Sequence, residues 1–311
     1  MEITAAMVKQ LREMTGAGVM ACKKALVETD GDFDKAIEVL REKGEATAVK
    51  KAGRIAAEGT VLAIVKDDKK AAIVEVNSET DFVAKNEKFR TFVANVADQV
   101  LATSAADVES FLEEKWILDE SKTVKEELVS QISVIGENMT IRRFAKIDTD
   151  GVVVPYIHAG GRIGVVVEAS TSVVNDEVKE CLKNVAMQIA ALNPKYTSRD
   201  EVSDEFISHE KEILKAQIMN DPKESQKPEK VIEGMINGRI NKEMKEICLL
   251  DQVYVKAEDG KQSVAQYVAD VAKATGSDLK IKGFVRYETG EGIEKKSEDF
   301  AAEVAKQMGG N

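Results

Sequence analysis

Asn95-Val96-Ala97-Asp98-Gln99-Val100-Leu101-Ala102 returns later in the chain as Asn184-Val185-Ala186-Met187-Gln188-Ile189-Ala190-Ala191. The two segments share Asn, Val, Ala, Gln and the closing Ala, with apolar residues at helical spacing. What surrounds them is alike too. Ahead of the first, Val61, Ala63 and Val65 alternate with other residues, Asp67-Asp68-Lys69-Lys70 marks a hairpin turn, and Ala71 to Val76 returns as a strand. Ahead of the second, Gly151 to His158 forms a strand, Ala159-Gly160-Gly161 turns, and Ile163 to Ala169 returns. Beyond the first, Ile141 to Ile147 alternates as a further strand, and Gly283 to Tyr287 stands in that place beyond the second. The fold class is therefore α+β: one unit of hairpin, helices and further strand, present twice, whose antiparallel sheets could pack into one core.

The helices between are read from their apolar faces. Phe89, Phe92, Val93, Val96 and Val100 turn inward on the first, and further helices are expected around Asp107 to Trp116 and Lys122 to Ile135. The second copy is longer because it carries an insert. From about Ser198 to Ile247 the sequence is helical and highly charged, with one stripe of Val202, Phe206, Ile213 and Ile218. Val231, Met235, Ile236, Ile240, Met244 and Ile247 form the other stripe. Asn220-Asp221-Pro222 and Lys227-Pro228 interrupt it, so two antiparallel helices joined at a proline-bearing tip are expected.

At the other end, residues 4–44 read as three short helices. Thr4 caps the first, whose inward residues are Met7, Val8, Leu11 and Met14. Cys22, Ala25 and Leu26 face inward on the second, about Val19 to Thr29. Asp30-Gly31 turns, and Asp32 caps a third bearing Phe33, Ala36, Ile37 and Leu40. So small a unit buries little surface, which suits a module that docks on something else. The Ala-, Lys- and Gly-rich stretch from Glu45 to Ala57 reads as a linker, partly helical.

Composition narrows the function. The 311 residues are 43% hydrophobic and 32% charged with a net charge of -11, which excludes global disorder and opposes a nucleic-acid role. There is no basic-then-apolar leader and no apolar run long enough to cross a bilayer, so a cytoplasmic protein without membrane contact is expected. Cys22, Cys181 and Cys248 are far apart and outside any Cys-x-x-Cys pair, so each reads as a buried small apolar residue.

Catalytic chemistry finds little support. His158 and His209 lie in different elements, no phosphate-binding Gly-x-x-x-x-Gly-Lys-Ser/Thr occurs, and the glycines of Gly160 to Gly164 sit in a hairpin turn. No cofactor and no metal are expected. One junction stands out: Thr80-Asp81-Phe82-Val83-Ala84-Lys85-Asn86, between a strand and a helix. On residue physics alone Phe82 reads as a staple or core residue and Asp81 as a cap.

These residues also carry a family resemblance. Leu11 to Met20 with Cys22-Lys23-Lys24-Ala25-Leu26 resembles the ubiquitin-associated-like domain that opens the elongation factor Ts family. Thr80 to Asn86 is similar to that family's signature. So are Ile135-Gly136-Glu137-Asn138 with Ile141-Arg142-Arg143, His158 with Arg162 to Val165, and Glu229 to Met235. The ending, Gly290 to Glu294 with Asp299 to Val304, fits in the same order. The resemblance implies a ubiquitin-associated-like domain over 1–45, a linker over 46–57 and core subdomains over 58–148 and 149–288. A coiled-coil insert at about 198–240 and a C-terminal helical module over 289–311 complete it.

It also implies an exchange factor without covalent chemistry, whose partner is elongation factor Tu, GDP-bound or nucleotide-free. Thr80, Asp81, Phe82 and Val83 would form a wedge pressing near the partner's magnesium and phosphate site, supported by Ile135 and Gly136. Val19 and Met20, with Gly292 and Ile293 of the C-terminal module, would hold the GTPase domain, and His158 would face another domain. Two other classes stay open: a coiled-coil adaptor that leaves nucleotide release unchanged, and an enzyme using paired carboxylates in a deep pocket.

Overall fold

The computed structural model describes residues 3–15 and 17–294. It opens with α1 (Ala5–Thr15), α2 (Val19–Glu28) and α3 (Phe33–Lys51). Thr4 Oγ1 accepts from Met7 N (3.3 Å), and Asp32 caps α3 by accepting from Lys35 N (3.1 Å). Between α2 and α3 the chain turns through positive φ at Asp30 and Gly31 (50° and 86°). Val8, Leu11, Cys22, Ala25, Leu26 and Ala36 form the small core. Met14, expected inward, is exposed, because Val8 and Leu11 already fill the seam of α1.

The first copy of the unit comprises β1 (Glu58–Lys66), β2 (Lys70–Ser78), α4 (Asp81–Ala84), α5 (Glu87–Ala102), α6 (Val108–Leu112), β3 (Lys115–Trp116), β4 (Asp119–Thr123), α7 (Val124–Ile135) and β5 (Met139–Asp148). The second comprises β6 (Val152–His158), β7 (Ile163–Ser170), α8 (Asp176–Leu192), α9 (Asp204–Asn220), α10 (Glu229–Ile247), α11 (Val264–Thr275) and β8 (Lys280–Glu288). Each copy makes an antiparallel three-stranded sheet, in the orders β1-β2-β5 and β6-β7-β8. Strand side chains alternate between faces. Ala72, Val74 and Val76 therefore meet α5, and Val165, Val167 and Ala169 meet α8. The opposite faces meet each other through Val61, Ala63, Ala71 and Ile73 on one side and Val153 and Val166 on the other. The result is four layers: helix, sheet, sheet, helix.

The repetition extends to single atoms. Gln99 on α5 is buried; its Nε2 donates to Lys115 O (3.1 Å) and its Oε1 accepts from Ile117 N (2.7 Å). Gln188 on α8 does the same with Val253 O (3.0 Å) and Val255 N (2.8 Å). Both α7 and α11 begin with a reciprocal cap, Thr123 with Glu126 and Ser263 with Gln266, and both end on a left-handed glycine, Gly136 and Gly276. Each third strand carries one extra residue opposite a glutamate: Arg142 bulges at Glu75, and Lys282 at Glu168. The copies also complete each other's turns. Val61 N donates to Gly161 O (2.7 Å), and Val153 N to Asp68 O (2.9 Å). At Gly161, φ is 105° and any Cβ would lie 1.9 Å from Thr60 Oγ1, so only glycine permits this approach.

Three local expectations change. The helix expected around Asp107 to Trp116 ends at Leu112, because Gln99 pins the following residues in extended form and Lys115–Trp116 pairs with β4. In the insert, Ile213 and Val231 are exposed, while Leu214 and Ile232 pack inward. Either row satisfies helical periodicity, and the partner helix chooses Ile232, Ile236, Ile240 and Met244. Of the stretch read as a partly helical linker over 46–57, the helical part is the end of α3, which runs to Lys51, later than the three-helix unit was expected to close. There α3 packs on α7, with Gly44 beside Val129 and Ser133 and Ala48 on the first core.

Glu75 is wholly buried, and accepts from Arg142 Nη1 (3.0 Å), Arg143 Nε (2.5 Å), Asn77 Nδ2 (3.1 Å) and Gly290 N (2.8 Å). Glu168 is partly exposed and pairs with Lys282 (2.6 Å) at the equivalent bulge. Glu75→Ala removes the shared acceptor of Arg142, Arg143, Asn77 and Gly290 N, leaving buried donors unmet although Arg143 keeps Glu291, so a loss of about 2–3 kcal/mol is expected in urea unfolding. Glu168→Ala should cost no more than about 1 kcal/mol. Equal losses would mean that burial of Glu75 does not set its importance.

Candidate functional site

The Thr80–Val83 junction is held from below. Ser78 Oγ donates to Thr80 O (3.0 Å), and Thr80, not Asp81, caps α4 by accepting from Val83 N (3.3 Å). Glu137, just beyond α7, accepts twice from Thr80: from its N (3.0 Å) and its Oγ1 (2.7 Å). The neighbouring residues repeat the tie, with Glu79 Oε1 accepting from Asn138 N (2.6 Å) and Asn138 Nδ2 donating to Arg54 O (2.8 Å). Lys51 Nζ, at the end of α3, donates to Gly136 O. Gly136 itself has φ 89°, which turns the chain sharply out of α7. Two segments distant in sequence, Lys51 to Arg54 and Gly136 to Asn138, thus converge with the end of β2 beneath four residues of helix.

Above this base the side chains divide. Val83 and Ile135 pack on the first core. Phe82 does not: it is 82% exposed, so the staple or core role that its residue type suggests is not the one it has. Asp81 points to solvent and bonds Lys85 Nζ (2.6 Å) one turn on; that hydrogen bond holds its carboxyl below the ordinary aspartate range. Asn86 caps α5, its Oδ1 accepting from Lys88 N (2.8 Å).

The other expected site residues sit on other elements. Val19 and Met20 open α2 and are exposed, as is Met14 on α1. His158 ends β6 on the surface, its Nδ1 3.0 Å from Tyr156 Oη. Gly292 and Ile293 follow β8 in a turn where Ile293 N donates to Gly290 O (3.0 Å). That turn is tied to the His158 hairpin, because Thr289 N donates to Arg162 O (2.9 Å) and Thr289 Oγ1 to Gly161 O (3.0 Å). The structure therefore brings together Thr80–Val83, Ile135 and Gly136, ties the Gly292–Ile293 turn to the hairpin of His158, and leaves Val19 and Met20 apart on α2. The remainder of the 289–311 module, including Asp299 to Val304, lies outside the described residues.

Comparison with known proteins follows the same lines. The family model described as Elongation factor TS matches residues 79–291, from the start of the anchored junction to the turn after β8. The Elongation factor Ts of Clostridioides difficile (strain 630) is 54% identical over 307 residues, covering 98% of this chain and 99% of its own. The chain belongs to the elongation factor Ts family. Family members of Clostridium botulinum (strain Eklund 17B) and Clostridium tetani (strain Massachusetts) are 52% and 51% identical, each covering at least 98% of both chains. Membership in the family carries a role in translation elongation. Among the described residues, no helix is long and apolar enough to cross a membrane, and no group of three or more His, Cys, Asp or Glu could hold a metal ion.

What residue reasoning missed are the supports: Glu79, Glu137, Asn138 and Lys51. Thr80 and Glu137 are 57 residues apart in sequence, and no local pattern announces a hydrogen bond across that distance.

Exposure of Phe82 has a direct consequence for stability. Phe82→Ala should shift thermal unfolding by less than about 0.5 kcal/mol, as for a surface substitution. Ile132→Ala, on the buried face of α7, should cost about 2–5 kcal/mol. A large loss from Phe82→Ala would mean that the ring serves the fold.

Proposed function

We propose that this chain is a guanine nucleotide exchange factor that binds elongation factor Tu carrying GDP and expels the nucleotide, with no covalent chemistry and no cofactor. The single observation that supports it best is Phe82: a large apolar ring standing in water on a short helix whose base is tied to the end of β2 and to two segments distant in sequence. An exposed aromatic on a rigid support is what a binding hot spot requires, since little ordering is needed when it docks.

In this reading Asp81 and Phe82 enter the GTPase beside its magnesium and phosphate site, Phe82 filling an apolar gap between helices. Thr80 and Val83 hold the wedge at its ends, and Ile135 and Gly136 back it. Val19 and Met20, with Gly292 and Ile293, contact the GTPase domain, and His158 faces another domain of the partner. The chain divides for this task as the family does. A ubiquitin-associated-like module over 1–45 joins through 46–57 to core subdomains over 58–148 and 149–288. A coiled-coil insert at about 198–240 and a C-terminal module over 289–311 complete it. Both the GDP-bound and the nucleotide-free partner are bound, without direct nucleic-acid or membrane contact, in the cytoplasm.

Exchange is a coupling between two ligands of one GTPase, and it is reciprocal: whatever the factor takes from GDP affinity, GDP takes from the factor's. Complete burial of one Phe side chain supplies roughly 1.5–3 kcal/mol, or about one to two decades of coupling. Distortion of the magnesium site must supply the rest.

Release of a fluorescent GDP from elongation factor Tu in the presence of magnesium tests this. Substoichiometric amounts of the chain should accelerate release, and Phe82→Ala should slow it by roughly ten- to a hundredfold while the fold persists. An unchanged release rate with the folded parent chain would leave the adaptor reading in its place.

A further inference from the structure

Two side chains outside α4 bond Thr80 among the described residues: Ser78 Oγ donates to its carbonyl oxygen, and Glu137, far away in sequence, accepts from its N and its Oγ1 through both carboxylate oxygens. Thr80 in turn caps α4 and directly precedes Asp81 and Phe82. A helix of four residues has too few internal hydrogen bonds to hold its own direction, so its orientation comes from outside it. Val83 anchors one side of it in the core, and Glu137 anchors its start.

The second copy supplies a natural comparison. There the chain leaving β7 reaches Ser172, whose N and Oγ both donate to Asp278 Oδ1 (2.6 and 2.8 Å). Asp278 lies two residues beyond Gly276, as Glu137 lies just beyond Gly136. The same kind of tie thus closes the strand-to-helix junction in both copies. Only in the first does the junction continue into an extra helix with an exposed aromatic; in the second, Asn175 caps α8 directly.

We infer that Glu137 is a positioning residue for exchange: its double hydrogen bond to Thr80 fixes the direction in which α4 presents Phe82. The inference rests on the exchange reading above. Without Glu137, α4 samples several orientations, and affinity for the partner's gap falls by the fraction of time spent in the right one. The tie at Asp278, which presents no wedge, has only local stability to give.

The test is kcat/KM for GDP release from elongation factor Tu, with a urea unfolding curve for every variant. Glu137→Ala is expected to slow release by roughly tenfold, if α4 holds the productive orientation about a tenth of the time. Glu137→Gln, which keeps one acceptor for Thr80 N and can donate to Thr80 Oγ1, should recover most of the rate. Asp278→Ala should stay within about twofold of the parent even where its unfolding midpoint falls as far as that of Glu137→Ala. In the Phe82→Ala background, Glu137→Ala should slow release by clearly less than it does in the parent, since only Asp81 is then left to be aimed. Parent-like release by Glu137→Ala, an equal loss from Asp278→Ala, or an additive loss in the Phe82→Ala background would each overturn the positioning role. If Glu137→Ala does not fold, the Glu137→Gln and Thr80→Val variants decide it: parent-like release by Thr80→Val overturns it. Parent-like release by Phe82→Ala alone defeats the wedge reading itself, and this inference with it.

Discussion

A carboxylate removed entirely from water must be answered by positive charge and hydrogen bonds, or the structure around it does not close. Glu75 is that group here. Arg142 and Arg143 reach it from the bulged third strand, Asn77 from its own strand, and Gly290 from the far end of the chain. Arg143 goes further, lying 4.3 Å from the centre of the Tyr287 ring and donating to Glu288 O (3.1 Å). One buried charge thus fixes the end of the first sheet, the bulge that re-aims Arg142, and the course of the chain after β8. Five residues on from Glu75 is Thr80, so the junction bearing Phe82 rises from the most constrained point of the core.

The two copies differ where they have been put to different uses. Their amide ties, reciprocal caps, left-handed glycines and bulges coincide, because each solves the same problem of closing helices over a three-stranded sheet. In the second copy, burial disfavours the Glu168 carboxylate, yet Lys282 and Thr149 bring it below the ordinary range while leaving it partly in water. In the first, the corresponding charge is sealed. The first copy uses its strand-to-helix junction for α4, and the second uses the link between α8 and α11 for α9 and α10.

Much of this was legible in the sequence, for a physical reason. The Asn-Val-Ala…Gln…Ala echo reflects the buried face of a helix, where each position is set by the same neighbours in both copies, and the shared Gln turned out to be the strand tie itself. Turn residues between apolar runs, Asp67-Asp68-Lys69-Lys70 and Ala159-Gly160-Gly161, exposed the hairpins because a chain reversal needs residues that accept its backbone angles, as the positive φ of Asp67, Asp68, Ala159, Gly160 and Gly161 shows. What escaped was decided at a distance. The β3–β4 hairpin is imposed by Gln99, the choice between Val231 and Ile232 by the partner helix, and the continuation of α3 by α7. At the candidate site, residue type pointed Phe82 inward. Only the resemblance turned that expectation outward and named Ile135 and Gly136 beneath it; the bonds made there by Glu137, Glu79, Asn138 and Lys51 were invisible until the chain was folded.

The reach of Glu75 also orders events during synthesis. Its bond to Gly290 spans 215 residues, and β8, which completes the second sheet, follows the whole helical insert. Since domains fold as the chain is made, the first half emerges with its central charge incompletely answered and the sheet face that awaits β6 and β7 uncovered. The first sheet and its helices have all their strands within residues 58–148, but the cover over the outer sheet face and the last hydrogen bond to Glu75 come only with the second half, so the nascent chain carries an uncovered apolar face until then.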